Sequence, residues 1–121
     1  MPTQIPFKPL LLVGILISVP AQAQYLGLGF ESNVALTRQD LDILRRTVNG
    51  EIHGHPVGAT ASWSNRESGN YGSVKLLKKY NSGGMHCEQL RYTIATSKRA
   101  VAAEHYTFNT CLQSDGSWKI S

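Results

Sequence analysis

The sequence predicts an α+β domain: one N-terminal helix packed on an antiparallel β-meander of four to five strands, preceded by a signal peptide. Three observations carry that prediction. An apolar run from Leu10 to Val19 leads into Pro20 and Ala21-Gln22-Ala23. Leu41, Leu44 and Val48 recur at helical spacing behind a capping sequence. After Gly58, alternation and frequent turns replace the helical period.

The first element is an address. Lys8 precedes the apolar run, and a small-residue site follows it, which is the layout of a secretory signal peptide. The run is too short to span a hydrocarbon core of about 30 Å as a helix. Cleavage is expected between Ala23 and Gln24, leaving a mature chain without a transmembrane helix. No cysteine stands near that site to carry a lipid. The mature protein is expected in an oxidising compartment, at the periplasm or cell surface, with outer-membrane association left open. Residues 24–36 contain glycines and little pattern and read as a flexible lead-in; 37–121 read as one domain. The 121-residue chain is 41% hydrophobic and 17% charged, with a net charge of +4. Those values exclude a disordered or collagen-like chain, and two cysteines exclude a disulfide-dense scaffold.

The helix follows the lead-in. Thr37 is positioned to cap, and Asp40 three residues later forms a capping-box variant. Leu36 and Leu41 sit where a hydrophobic staple places them. Asp40 and Asp42 are expected in the first turn and Arg45 and Arg46 in the last, as the macrodipole favours, with Asn49-Gly50 as the stop. The narrow Leu41, Leu44, Val48 stripe is expected to pack on the domain's own sheet, not on a partner.

The sheet comes next. Trp63 lies in a short run, and 65–72 form a polar loop. Residues 73–80 alternate, Asn81-Ser82-Gly83-Gly84 is a turn, and 86–96 and 101–112 are longer strands joined through Ser97-Lys98-Arg99-Ala100. A self-consistent register pairs Cys87 with Cys111, Leu90 with Phe108 and Tyr92 with Tyr106. The preceding hairpin pairs Leu76 with Leu90, Val74 with Tyr92 and Lys78 with Glu88. A tight turn over 113–115 brings Ile120 beside Phe108.

The chemistry-bearing residues are few. Export and register together favour a structural disulfide between Cys87 and Cys111. The alternative is a small secreted hydrolase or thiol enzyme in which Cys87 acts with His86 or His105. His53-Gly54-His55 offers half of a metal site, but no further ligands gather around it, so a solvated loop is expected, with no metal and no cofactor. Lys75, Lys79 and Arg91 are placed on the outer sheet face, suited to an anionic envelope polymer. Tyr92, Tyr106 and Phe108 are placed on the other face, which argues against nucleic acid as the partner.

Ala61-Ser62-Trp63-Ser64-Asn65-Arg66-Glu67-Ser68-Gly69-Asn70-Tyr71-Gly72-Ser73-Val74 resembles a segment of the rickettsial seventeen-kilodalton surface antigen family. Cys87-Glu88 and Thr110-Cys111-Leu112-Gln113-Ser114-Asp115-Gly116-Ser117-Trp118-Lys119-Ile120 resemble its later Cys…Cys…Asp-Gly-Ser-Trp pattern. Glu88 follows Cys87 directly, where the family pattern has Arg. The resemblance spans about residues 34–121 and implies a small α+β envelope domain with no catalytic residues. The expected function is therefore a non-catalytic envelope protein acting by binding or structure, with an envelope component as its unknown partner.

Overall fold

The structure is a computed structural model that describes residues 33–121. The expected signal peptide and the Ala23/Gln24 cleavage point lie outside the described residues. Helix α1 spans Arg38–Glu51. Five strands follow: β1 Thr60–Asn65, β2 Asn70–Ser82, β3 Met85–Thr96, β4 Glu104–Leu112 and β5 Trp118–Ile120. They form one sheet in the order β1-β2-β3-β4-β5, every neighbouring pair antiparallel, which is the expected meander.

The capping box forms as its residues predict. Asp40 N donates to Thr37 Oγ1 (3.1 Å), and Thr37 N donates to Asp40 Oδ2 (2.8 Å). The helix does not stop at Asn49-Gly50; it continues through both to Glu51. Ile52, fully buried, anchors this extra stretch in the core, and Gly54 (φ +80°) makes the left-handed exit instead. Arg45 and Arg46 therefore lie mid-helix, and the last turn holds no basic residue.

Leu44, Val48 and Ile52 pack with Val34, Ala61, Trp63, Val74, Leu76, Leu90 and Ile94 to form the core, each less than a tenth exposed. Gly72 is required where it stands: a side chain there would run into the Thr93 carbonyl and the Trp63 indole. Asn33 and Val34, assigned by sequence to the lead-in, are held against the domain. Val34 is buried, Asn33 N donates to Glu104 Oε2 (3.0 Å), and Arg99 donates to the Asn33 carbonyl.

The β3–β4 register is the expected one, with Cys87 opposite Cys111, Leu90 opposite Phe108 and Tyr92 opposite Tyr106. The β2–β3 register begins as expected, with Val74 opposite Tyr92 and Leu76 opposite Leu90. It then shifts by one residue, so Lys78 faces Gln89 and Lys79 faces Glu88, instead of Lys78 facing Glu88. Leu77 is the extra residue of a β-bulge. On its other edge β2 bonds to Gly58 and Ala59 only as far as Leu76, and the bulge enters where that support ends.

Two connections also differ from expectation. β4 starts at Glu104, not at Val101. The connecting loop is drawn sideways to the β1–β2 turn, where Ser97 N donates to Gly69 O (2.8 Å) and Lys98 Nζ to Glu67 O (2.8 Å). Ile120 faces Thr110, not Phe108, because the last turn is closed one step further out by Gln113 N donating to Ser117 O (2.7 Å).

Candidate binding site

Beyond the C-terminal end of α1, the helix-side face of the sheet opens into a pocket of about 390 Å³. Its walls come from Gly54 after the helix, Lys79 and Asn81 of β2, His86 and Glu88 of β3, Leu112 of β4 and Trp118 of β5. The bulge at Leu77 puts Lys79 here. Without the extra residue, strand alternation would give this face to Lys78. Among the described residues, no carboxylate lies within ion-pair distance of Lys79.

Glu88 forms the base of this wall and is 3% exposed. His53 Nδ1 lies 2.7 Å from its Oε1, and Gly54 N donates to its Oε2 (2.9 Å). A carboxylate only accepts, so the proton of a neutral His53 sits on Nδ1 and its Nε2 is an acceptor. The His53 ring stacks on Trp118, with centroids 4.2 Å apart and planes 3° from parallel. Burial of the ring pushes the His53 pKa down, against the upward pull of the Glu88 hydrogen bond and charge. Burial, with the Glu88 charge, also pushes the Tyr92 phenol up to about 12.

Trp118 is delivered by its own turn. Ser117 N and Oγ both donate to Asp115 Oδ1 (2.9 and 2.6 Å), which holds that carboxyl below its ordinary value, and Gly116 supplies φ +90°. The Asp-Gly-Ser-Trp sequence is thus a fastened turn with an aromatic at its exit. On the reverse side of the sheet, Cys87 and Cys111, directly opposed across β3 and β4, form a disulfide with Cα atoms 4.0 Å apart. Both cysteines are buried.

The outer face is different in kind. Lys75 stands directly opposite Arg91, Lys78 is beside them, and Lys119 lies across from Cys111. All four cations are exposed. Among the described residues, no carboxylate belongs to this face: Glu88 and Glu104 occupy the opposite alternation, and the remaining acids lie on the helix and in turns. Tyr92, Tyr106 and Phe108 lie on the opposite face as expected, but Tyr71 and Tyr80 share this one, with Lys78 Nζ 5.4 Å from the Tyr80 ring centre. Of the three residues expected here, Lys75 and Arg91 are brought together and Lys79 is carried away to the pocket.

The remaining candidates separate. Cys87 is oxidised and has no thiolate to offer. His86 bonds Asn81 Oδ1 (3.1 Å) at the pocket rim, while His105 bonds Thr93 Oγ1 (3.1 Å) on the outer face. His53 is partly buried against Glu88, not in a solvated loop, whereas His55 is exposed. Among the described residues, no group of three potential ligands forms a metal cluster.

The first half of the motif-rich sequence serves the fold. Asp40, fully buried, accepts from Asn65 Nδ2 (2.7 Å) and Ser68 Oγ (2.7 Å) on one oxygen, and from Asn70 Nδ2 (2.7 Å) and Thr37 N on the other. Asn65, Ser68 and Asn70 are therefore the parts of a clamp that fixes the helix start to the β1–β2 hairpin.

The chain is similar to a rickettsial surface antigen. The 17 kDa surface antigen of Rickettsia bellii is 28% identical over 86 residues, covering 70% of this chain and 52% of the relative. The antigen of strain RML369-C and that of the species named without a strain match equally. The chain thus spans about half the length of the curated relatives it matches. No family model and no solved structure matches. The relative's name places that protein at a surface, and the disulfide of this chain is of the kind that oxidising compartments sustain. Among the described residues, no helix is long and apolar enough to cross a membrane.

The Glu88–His53–Trp118 group was missed in the sequence because its members are 35 and 30 residues apart, on elements that meet only through the fold. The one available signal was Glu88 itself, an acid at a position whose alternation points into the core.

Proposed function

We propose that this chain is a non-catalytic envelope protein, periplasmic or surface-exposed, whose domain holds an anionic envelope polymer against the outer face of its sheet. The observation that carries this reading is the directly opposed pair of Lys75 and Arg91 on a face without carboxylates. Like charges opposite each other in a sheet are destabilising. A polyanion lying across the strands would neutralise them, and Lys78 and Lys119 extend the same field. The hydroxyl and phenol groups of this face, Tyr71 and Tyr80 among them, suit a hydrated polymer. The rickettsial antigen's name, as a surface protein, supports an envelope location for this chain as well.

The test is pull-down of the purified protein with lipopolysaccharide across a salt series. Binding should fall steadily as salt rises, because the contact is exposed and screened. Lys75→Gln with Arg91→Gln should abolish it and leave thermal unfolding unchanged or improved, since the like-charge repulsion is removed. Retention of binding by this double variant would sink the reading.

A further inference from the structure

We infer that the pocket lined by Lys79, Glu88 and Trp118 binds a single saccharide unit that carries a carboxylate. The inference rests on the polymer reading only for the source of such a unit. Three features of the pocket are built in ways that packing alone does not require. The β2 bulge turns Lys79 into it, and bulges re-aim side chains beside functional sites. Lys79 then presents an ammonium with no carboxylate in ion-pair range. Trp118 is held in orientation by a parallel stack on His53, and His53 is in turn held by a buried carboxylate through a 2.7 Å contact.

These features specify the ligand's chemistry. A fixed indole bordering a small pocket suits the apolar face of a sugar ring. The flanking Asn81 and His86 supply groups for ring hydroxyls. Both Glu88 oxygens already accept protein hydrogen bonds, so Glu88 orients the site, and its cross-strand neighbour Lys79 supplies the charge that draws an incoming anion. Lys79 is left as the partner for a carboxylate on the ring. A cationic sugar would instead face an unopposed ammonium. The volume, about 390 Å³, accommodates one such ring and not a folded peptide.

The experiment uses proton–nitrogen NMR of the whole chain, with D-glucuronate, D-glucose and acetate as probes. The two indole N–H signals separate the sites, since Trp63 is buried in the core and serves as the internal control. Glucuronate should shift the Trp118 signal saturably and leave that of Trp63 in place. Glucose should bind about ten-fold more weakly, the discrimination expected of one charge-assisted contact. Lys79→Ala, at an exposed position, should remove that preference and leave glucose unaffected. Trp118→Ala, read on the backbone amide of Gly54 at the pocket wall, should abolish binding of both sugars; if it disturbs the sheet edge, Lys79→Ala decides alone. Equal binding of the two sugars, a preference that survives Lys79→Ala, an equal response to acetate, or no response to any probe would overturn the inference. Lipopolysaccharide pull-down by the Lys79→Ala protein keeps the two readings apart, because it depends on Lys75 and Arg91.

Discussion

Asp40 and Glu88 are both acids sealed into the helix side of this sheet, and they are used in opposite ways. Asp40 accepts four hydrogen bonds from Thr37, Asn65, Ser68 and Asn70, all protein groups. Glu88 accepts two, from His53 and Gly54, and forms one wall of a pocket. A buried carboxylate that the protein satisfies completely is a fastening. One that is satisfied just enough to orient a histidine and an indole, beside open volume, has the form of a site. The same division separates the two halves of the recognisable sequence: residues 65–70 build the fastening, and 87–118 build the bridge, the fastened turn and the pocket.

The comparison predicts unequal costs. Asp40→Ala should lower stability by about 3–5 kcal/mol, since it strands the buried amides of Asn65 and Asn70 and the Ser68 hydroxyl and removes the capping box in one step. The denaturant midpoint of the purified variant measures this. A loss no greater than that of an ordinary surface substitution would mean that the clamp does not hold the helix. Next comes the bridge. Replacing Cys87 and Cys111 together by alanine should cost roughly 3–4 kcal/mol for a cross-link spanning 24 residues. If the loss is near zero, the hairpin is held by the Leu90–Phe108 and Tyr92–Tyr106 pairs alone.

Much of this was legible in the sequence because it is local or periodic. The Thr37–Asp40 box, the helix stripe and the parity of β3 against β4 each follow from residues a few positions apart, or from alternation that a buried face enforces. The bulge was not legible. Leu76-Leu77 reads equally well with either leucine inward, and the extra residue is decided by where Gly58 and Ala59 stop supporting β2. That single residue moved Lys79 from the outer face to the pocket. The helix end was missed for a similar reason: Asn49-Gly50 is a strong local stop, but burial of Ile52 outweighs it.

Glu88→Ala should cost less than either change above, about 1–2 kcal/mol, because water in the pocket can take up the donors it leaves. Its sharper effect should be on Trp118. With His53 no longer held, the stack should loosen, and the Trp118 indole signal should move and broaden while that of Trp63 stays fixed. An unchanged Trp118 signal in a folded Glu88→Ala protein would remove the link between the acid and the aromatic wall.

The smallest effect, and the one that separates the two acids most cleanly, is in pH. Burial alone would raise the pKa of Asp40, but its hydrogen bonds from Thr37, Ser68, Asn70 and Asn65 together hold it below the ordinary carboxylate value. Its contribution is therefore fully present above about pH 4, the unfolded range, and is lost only as pH falls through the depressed folded value. His53 behaves differently. Burial depresses its pKa despite Glu88, so the unfolded chain takes up the proton first as pH falls below about 6.5. Stability should begin to decline there and level off once the folded protein is protonated too. Urea midpoints between pH 8 and pH 3 should thus show two separate steps. His53→Gln should erase the upper step and leave the lower, whereas Asp40→Asn should remove the Asp40 part of the lower step and leave the upper. An upper step that persists in His53→Gln would have to be assigned to another histidine, and the buried His53–Glu88 pair would then not be what distinguishes the pocket from the clamp.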